Sequence, residues 1–167
     1  MTTVSTRSDT RLVEATPDHF AWAARADPAE RLDGLRLVPG GIEAPEVLSW
    51  IARTAATVSA STGTASAWLV VEGDEALGLI SLKSPPREGA VEIGYGIAES
   101  RRGRGHASAA VGLVLAIART HGWTLTAETS PTNPASAKVL ERNGFERSGE
   151  RVDDDEGPLH SWRAARP

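Results

Sequence analysis

Residues 97–123 read IAESRRGRGHASAAVGLVLAIARTHGW, and this stretch decides the interpretation of the whole chain. A basic, glycine-containing segment (101–105) stands directly before a long apolar run. Gly103 and Gly105 permit tight backbone bends. The first amides of a helix lack intrahelical partners, and the helix dipole gives that end partial positive charge. The stretch therefore predicts a helix over 105–121 whose N-terminus binds an anion, best a phosphate or pyrophosphate.

Two common phosphate-binding loops do not match this stretch. A nucleotide P-loop ends in GK[ST], whereas this loop continues as GHA. A dinucleotide fingerprint needs a third glycine, but Ser108 stands at that position. The alternative to an anion site is a flexible basic turn that caps a core helix.

Composition and charge narrow the class of protein. With 167 residues, the chain is expected to form one domain over 10–167, preceded by a flexible N-terminus at 1–9. A net charge of -4 gives no reason to expect nucleic acid or an anionic membrane as partner. The chain has no cysteine, which excludes disulfides, thiolate catalysis and cysteine-based zinc sites.

Metal and membrane sites are also not expected. His19, His121 and His160 are not spaced as metal ligands are, so no metal site is predicted. The N-terminal sequence has no apolar core, and the apolar run at 109–118 is far shorter than the roughly 20 residues that span a bilayer. These features predict a cytoplasmic protein.

Periodicity and turn residues predict the order β-α-α-β-β-β-α-β-α-β-β, an α+β or mixed-sheet domain. Asn133 as N-cap, Pro134 at the first helical position and Gly144 past the end punctuate the last helix. The predicted strands are 11–16, 66–73, 75–84, 90–100, 123–130, 145–152 and 159–166, and the helices are 17–26, 45–60, 105–121 and 134–143.

Aromatic and apolar residues suggest where the core lies. The helix over 45–60 is expected to be amphipathic, with four residues at i, i+3, i+4 and i+7 on its apolar face: Val47, Trp50, Ile51 and Thr54. Three tryptophans are expected in the core or lining a cleft: Trp22, Trp50 and Trp68.

Two motifs at the correct separation carry a family resemblance. RRGRGHA (101–107), followed by a helix, a strand and NPASAKVLERNGF (133–145), resembles the GNAT superfamily of acyl-CoA-dependent N-acetyltransferases. VEIGYGIAESRRGRGHASAAV together with NPASAKVLERNGFERSG is more narrowly similar to the branch containing the ribosomal-protein N-terminal acetyltransferases. The close resemblance covers about residues 66–150, and Arg102, Gly105 and Ala107 meet the loop pattern Q/R-x-x-G-x-G/A.

The resemblance implies a fold and an activity. The fold is a mixed, mostly antiparallel, twisted sheet with helices on both faces. The activity is direct acetyl transfer from acetyl-CoA to a primary amine, on a protein N-terminus or a small molecule. The alternatives are a non-catalytic acyl-CoA-binding sensor or partner module and a phosphate-binding domain for another nucleotide. Homodimers are common in the family, but nothing in the sequence specifies an interface.

The resemblance also assigns coenzyme contacts. The backbone of Ile97 and Ala98 would pair with the pantetheine arm, and Asn133 would bond its amide. The pyrophosphate would be held by seven consecutive residues, with Arg102 or Arg104 adding charge: Arg102, Gly103, Arg104, Gly105, His106, Ala107 and Ser108. The side chain of His106 is expected to be exposed in the loop.

Two residues are expected to carry the chemistry. Glu92 alternates with Val91 and Ile93, which puts it on the opposite face of its strand, where it resembles the family's general base. The alternatives are a base that acts through water, no base at all if the amine arrives neutral, and an ordinary solvent-facing glutamate. Many family members have a tyrosine as proton donor where this chain has Leu140. In the ribosomal-protein branch a serine three residues after the asparagine has that role, so the resemblance assigns protonation of the leaving thiolate to Ser136; the alternative is an ordinary first-turn helix serine.

The surroundings of these residues lead to three smaller expectations. Tyr95 is expected to pack in the core. Gly94 and Gly96 suggest a bulge or the close approach of a ligand. The acidic run 153–156 is expected to be a solvated turn that can border the acceptor site.

Overall fold

The computed structural model describes residues 9–166, so all of the predicted flexible N-terminus except Asp9 lies outside the described residues. The strands are β1 (Thr10–Glu14), β2 (Arg31–Leu32), β3 (Leu35–Leu37), β4 (Ala67–Glu72), β5 (Glu75–Leu82), β6 (Ala90–Ile97), β7 (Thr124–Thr129), β8 (Phe145–Asp153) and β9 (Gly157–Ala164). The helices are α1 (Pro17–Arg25), α2 (Pro45–Thr62), α3 (His106–Thr120) and α4 (Pro134–Arg142), with a 3-10 turn at Glu99–Arg101.

The strands form one mixed sheet in the order β1-β4-β5-β6-β7-β9-β8. Neighbours along this path are antiparallel except β6 and β7, which run parallel because α3 connects them. The buried residues of α3 and α4 belong to one core cluster. Those of α1 belong to a second cluster, together with Leu48 and Ala55 of α2. Helices therefore cover both faces, and the predicted α+β architecture is confirmed.

The sheet opens between β6 and β7. These strands pair only from Ala90–Thr124 to Glu92–Thr126 among the described residues. On its other side, β6 stays paired with β5 as far as the pair of Ile97 with Gly78. Beyond Glu92, the edge of β6 that faces β7 is therefore free of strand pairing.

The predicted element order lacked the short hairpin formed by β2 and β3. Its turn residues Asp33 and Gly34 have φ values of 50° and 78°, which fits a two-residue turn of type I′. Strands of two and three residues give no readable alternation. The Asp-Gly pair between leucines was the available signal.

The apolar face predicted for α2 was wrong by one residue. Leu48, Ala55 and Val58 are buried, whereas Val47 and Trp50 are 40% and 48% exposed. Two neighbouring stripes of this helix are both apolar, so the helical period alone did not distinguish them. Packing against the sheet selected the stripe that contains Leu48.

The bulge expected at Gly94 and Gly96 is not found in β6. The pairing with β5 runs in uninterrupted register across both glycines. The register shift of this region lies instead between Val70 and Val71, in the pairing of β4 with β5. The strand predicted over 90–100 also ends earlier, at Ile97, where the chain turns into the 3-10 segment.

Candidate active site

The loop before α3 is shaped by two glycines in the left-handed region. Gly103 has φ 75° and Gly105, the N-cap of α3, has φ 83°. A β-carbon at either position would meet none of the described atoms within 4 Å, so backbone conformation and not space requires glycine. As a glycine, Gly105 has no side chain to cap the first turn of α3. The loop thus leaves the positive end of the helix open, which suits an anionic group.

The three arginines of this loop have different surroundings. Arg101 holds the buried Glu75 through two hydrogen bonds, Nε to Oε1 at 2.7 Å and Nη2 to Oε2 at 3.2 Å. Arg102 Nε donates to the Ile97 carbonyl at 3.0 Å and so braces the end of β6. Arg104 is exposed, and its side chain has no hydrogen bond or ion pair within the described residues. Arg104 is therefore the arginine whose whole guanidinium is available to a ligand.

The expectation that His106 is exposed was wrong. Its side chain is 3% exposed, with Nδ1 3.0 Å from Thr10 Oγ1 and Nε2 3.7 Å from a Glu72 carboxylate oxygen. Because α3 packs against the edge formed by β1 and β4, this first-turn side chain turns towards the sheet. His106, Ala107 and Ser108 form the first turn of α3, and of His106 only the backbone is left for a ligand at the loop.

The two predicted pantetheine contacts, Ile97 and Ala98, differ in whether their backbone amides are already bonded within the protein. Ala98 donates its amide to Leu77 O at 2.8 Å, and its carbonyl accepts the Arg101 amide at 2.8 Å. Hydrogen bonds to β5 alternate along an antiparallel strand, so the amide of Ile97 is directed towards the opening at β7. The prediction is thus corrected at Ala98, whose amide is engaged within the protein, and it stands as a prediction at Ile97.

Glu92 lies on the face of β6 that the alternation predicted. Val91 and Ile93 are buried in the core, whereas the Glu92 side chain is 25% exposed on the other side. Its Oε2 lies 3.5 Å from Lys83 Nζ, and Glu92 lines one groove together with Glu128. Burial is the main cause that raises the pKa of Glu92, and Glu128 raises it further. A carboxyl with a raised pKa holds a proton more readily, as a general base must.

Glu128 is held as a carboxylate by Arg151. The guanidinium donates through Nε and Nη2 to the two oxygens of Glu128, at 2.5 and 2.8 Å, and these contacts lower the pKa of Glu128. Arg151 also donates to Asp153 Oδ2 at 3.1 Å. The acidic turn after β8 is therefore connected to this carboxyl pair through Arg151.

The carboxyl pair opens into a groove of about 310 Å³. Its walls come from three strands besides β6: β7, β8 and β9. Sequence reasoning did not find Glu128, Lys83 or Arg151. Glu128 had a detectable signal, since it alternates with the apolar Ala127 and lies near the second motif. Arg151 had none, because its partner is 23 residues away.

Tyr95 and Ser136 meet on the opposite side of β6. The phenol oxygen is 2.8 Å from Ser136 Oγ and donates to the Ser136 carbonyl at 3.3 Å. The Tyr95 ring packs against the core as expected, but the contact of its hydroxyl with Ser136 was not predicted. Burial raises the pKa of Tyr95, which keeps the phenol protonated. Leu140, one turn beyond Ser136, is fully buried and has no proton to donate, and the role of Ser136 as proton donor stays a prediction.

Asn133 caps α4 as expected, because its Oδ1 accepts the Ser136 amide at 3.2 Å. It also lines a larger cavity, of about 510 Å³, on the side of α4 that faces β8 and β9. That cavity contains neither Glu92 nor Ser136, so its size alone does not make it the reaction site. The catalytic candidates lie at the opening between β6 and β7.

No group of three potential metal-ligating side chains occurs within residues 9–166. None of the described helices is long and apolar enough to cross a membrane.

Comparisons with known proteins give a consistent family and fold. A family model described as "Acetyltransferase (GNAT) domain" matches residues 10–146. A comparison with curated proteins finds no significant match.

Three solved structures illustrate the fold. The ribosomal alpha-N-protein acetyltransferase RimL, in complex with coenzyme A, is 21% identical with TM-score 0.69, covering 93% of each chain. A chimera of the Vibrio cholerae spermidine N-acetyltransferase SpeG with hSSAT is 14% identical with TM-score 0.69, covering 94% of this chain and 95% of that one. The aminoglycoside acetyltransferase AAC(6')-Ib, with coenzyme A and kanamycin, is 20% identical with TM-score 0.54, covering 60% of this chain and 66% of that one.

Proposed function

This chain belongs to the GNAT acetyltransferase family, and from that premise we propose that it transfers the acetyl group of acetyl-CoA to a primary amine. The acceptor is a small molecule or a peptide N-terminus. The observation that carries the proposal is the meeting of three features at one opening of the sheet. These are the uncapped start of α3, the unpaired edge of β6 and the carboxyl pair of Glu92 and Glu128.

The residues at the opening fit coenzyme A. The Arg102 amide donates to the Glu99 carbonyl at 3.3 Å, so the left-handed bends at Gly103 and Gly105 leave the amides of residues 103–108 for a pyrophosphate, and Arg104 adds charge. The amide of Ile97 faces the gap that the pantetheine arm would enter, and Asn133 stands at the start of α4 beside it. Bound there, acetyl-CoA supplies an activated acetyl thioester.

Different side chains carry the two proton transfers, one from the amine and one to the leaving thiolate. Glu92 accepts the proton that the amine must lose, because its raised pKa makes it the better acceptor of the carboxyl pair. Glu128, held ionised by Arg151, accepts the hydrogen bond from protonated Glu92 and orients it. Ser136, hydrogen-bonded to the protonated phenol of Tyr95, donates a proton on the other side of β6, where the thiol leaves.

A thermal-shift titration with acetyl-CoA, in parallel with ATP and NAD, tests the coenzyme assignment. A ligand at a hundredfold excess over its dissociation constant stabilises the native state by about 2.7 kcal/mol. We expect stabilisation by acetyl-CoA alone. Stabilisation by ATP or NAD without acetyl-CoA would overturn the proposal.

Release of free thiol in the presence of amines tests the chemistry. The panel comprises small primary amines and a peptide with a free N-terminus, with the same peptide N-acetylated as its control. We expect amine-dependent thiol release that the blocked peptide does not support. Saturable acetyl-CoA binding without thiol release from any amine would identify a binding module instead.

A further inference from the structure

The side-chain amine of Lys83 lies beside Glu92, the proposed general base. Lysine occurs at only two positions in the chain, Lys83 and Lys138, whereas arginine supplies the other basic residues. Lys83 follows the last residue of β5, and its amide donates to the Glu92 carbonyl at 2.8 Å. Its Nζ lies 3.5 Å from Glu92 Oε2, and its side chain is 36% exposed. The amine is thus accessible and lies beside the group proposed to accept an amine proton.

The stem of Lys83 crosses β6 at a glycine. A β-carbon at Gly94 would lie 3.3 Å from Cδ and 3.5 Å from Cγ of Lys83, the first of these closer than an ordinary contact. The φ of Gly94 is not in the left-handed region, so its backbone conformation does not require glycine. The absent side chain instead leaves room for the stem of Lys83.

The crossing point coincides with the opening of the sheet. Gly94 lies two residues beyond Glu92, where the pairing of β6 with β7 ends. The Lys83 side chain passes over Gly94 of β6, and its Nζ reaches Glu92, the last residue of β6 that pairs with β7. Its amine is therefore directed to the side of β6 where the acceptor of an acetyl group must stand.

We propose that Lys83 Nζ is an acetylation site of this protein, modified by the protein's own active site. This inference rests on the proposed function, since the acetyl donor is acetyl-CoA. The Lys83 ammonium first loses one proton to solvent; its neutral nitrogen then forms the new C–N bond to the acetyl carbonyl carbon, and the C–S bond breaks. Glu92 takes the proton that the nitrogen loses, and the departing sulfur receives one from the hydroxyl pair of Ser136 and Tyr95. The products are an amide and a free thiol, with no oxidation or reduction.

Acetylation at this position has a consequence for the active site. The positive charge of Lys83 lowers the pKa of Glu92, and the amide product carries no charge. The modified protein is therefore expected to lose the Lys83–Glu92 ion pair and to turn over other amines more slowly than the unmodified protein at the same pH.

The test is incubation of the full chain with acetyl-CoA and no added amine, followed by intact mass measurement and peptide mapping. We expect one acetyl group on Lys83 in the wild type and in Lys138→Arg, and none in Lys83→Arg. The initial rate is expected to be first order and independent of protein concentration, and to fall at least about a hundredfold in Glu92→Gln, the low end of a general-base contribution. Thermal unfolding of each variant checks that it is folded.

Three results would overturn the inference. Acetylation of Lys138 or the N-terminus at the same rate as Lys83 would indicate ordinary chemical modification, as would an unchanged rate in Glu92→Gln. An unmodified Lys83 in a sample that acetylates an added amine would reject the inference and leave the proposed function intact. Absence of acetyl-CoA binding in the thermal-shift titration would reject both.

Discussion

The proposed coenzyme side and the proposed acceptor side of β6 are built in different ways. The coenzyme side is mostly backbone from one continuous segment, residues 97–108, bent by Gly103 and Gly105. The acceptor side is made of side chains that β6, β7 and β8 and the end of β5 bring together. A continuous backbone site depends on local conformation, whereas an assembled side-chain site depends on the register of several strands. Substitutions on the two sides should therefore fail in different ways.

Replacement of Gly105 by valine is expected to have the largest effect, on the coenzyme side. The left-handed conformation costs a residue with a β-carbon about 1–2 kcal/mol, so the loop should lose the bend that exposes its amides. Stabilisation by acetyl-CoA in the thermal-shift titration should disappear while the protein remains folded. Gly63→Val is the matched control, because Gly63 also has positive φ and open space but ends α2. Unchanged acetyl-CoA affinity in Gly105→Val would refute the loop assignment.

Glu92→Gln should give the next largest effect, on the acceptor side. Loss of a general base lowers turnover by about 10²–10⁴-fold, while acetyl-CoA stabilisation should stay as in the wild type. Steady-state kinetics and the thermal-shift titration separate the two readouts. Glu14→Gln, an exposed strand glutamate in β1, is the control and should keep wild-type kcat/KM. Equal activity of both variants would mean that Glu92 is not the base.

The hydroxyls of Tyr95 and Ser136 contact each other on the side of β6 opposite to Glu92, so their variants should be coupled. Tyr95→Phe and Ser136→Ala are each expected to lower turnover by up to about 10²-fold, because each removes one hydroxyl of a 2.8 Å contact. If both act in one proton transfer, the double variant should be no slower than the slower single variant. Fully additive losses in a double-mutant cycle would show that the two hydroxyls act separately.

Glu128→Gln should have the smallest effect, a shift of the pH profile. Glu92 must be ionised to accept a proton, so activity falls as the pH drops through its raised pKa. Glu128 raises that pKa, and its removal should lower it. The acidic limb of kcat/KM should therefore move to lower pH, and burial should keep it above the range of an ordinary glutamate. A limb that stays in place or moves to higher pH would contradict this role.

Sequence reasoning reached much of the fold because the signals were local. The Asn133 cap with Pro134, the hairpin of β4 and β5, and the glycines before α3 each act within a few residues. It failed where two local solutions were equally good, as with the two apolar stripes of α2. It also failed at His106, whose burial depends on the packing of α3 against β1.

By itself the sequence determined the order of most elements, the bends before α3 and the face of β6 that carries Glu92. These follow from backbone preferences and from the alternation of side chains along a strand. Only the tertiary structure decided which groups surround Glu92. Lys83, Glu128 and Arg151 are far apart in the chain. They meet because β5, β6, β7, β9 and β8 lie side by side in one sheet. Burial and charge at that meeting point set the protonation of Glu92, and no local pattern encodes them.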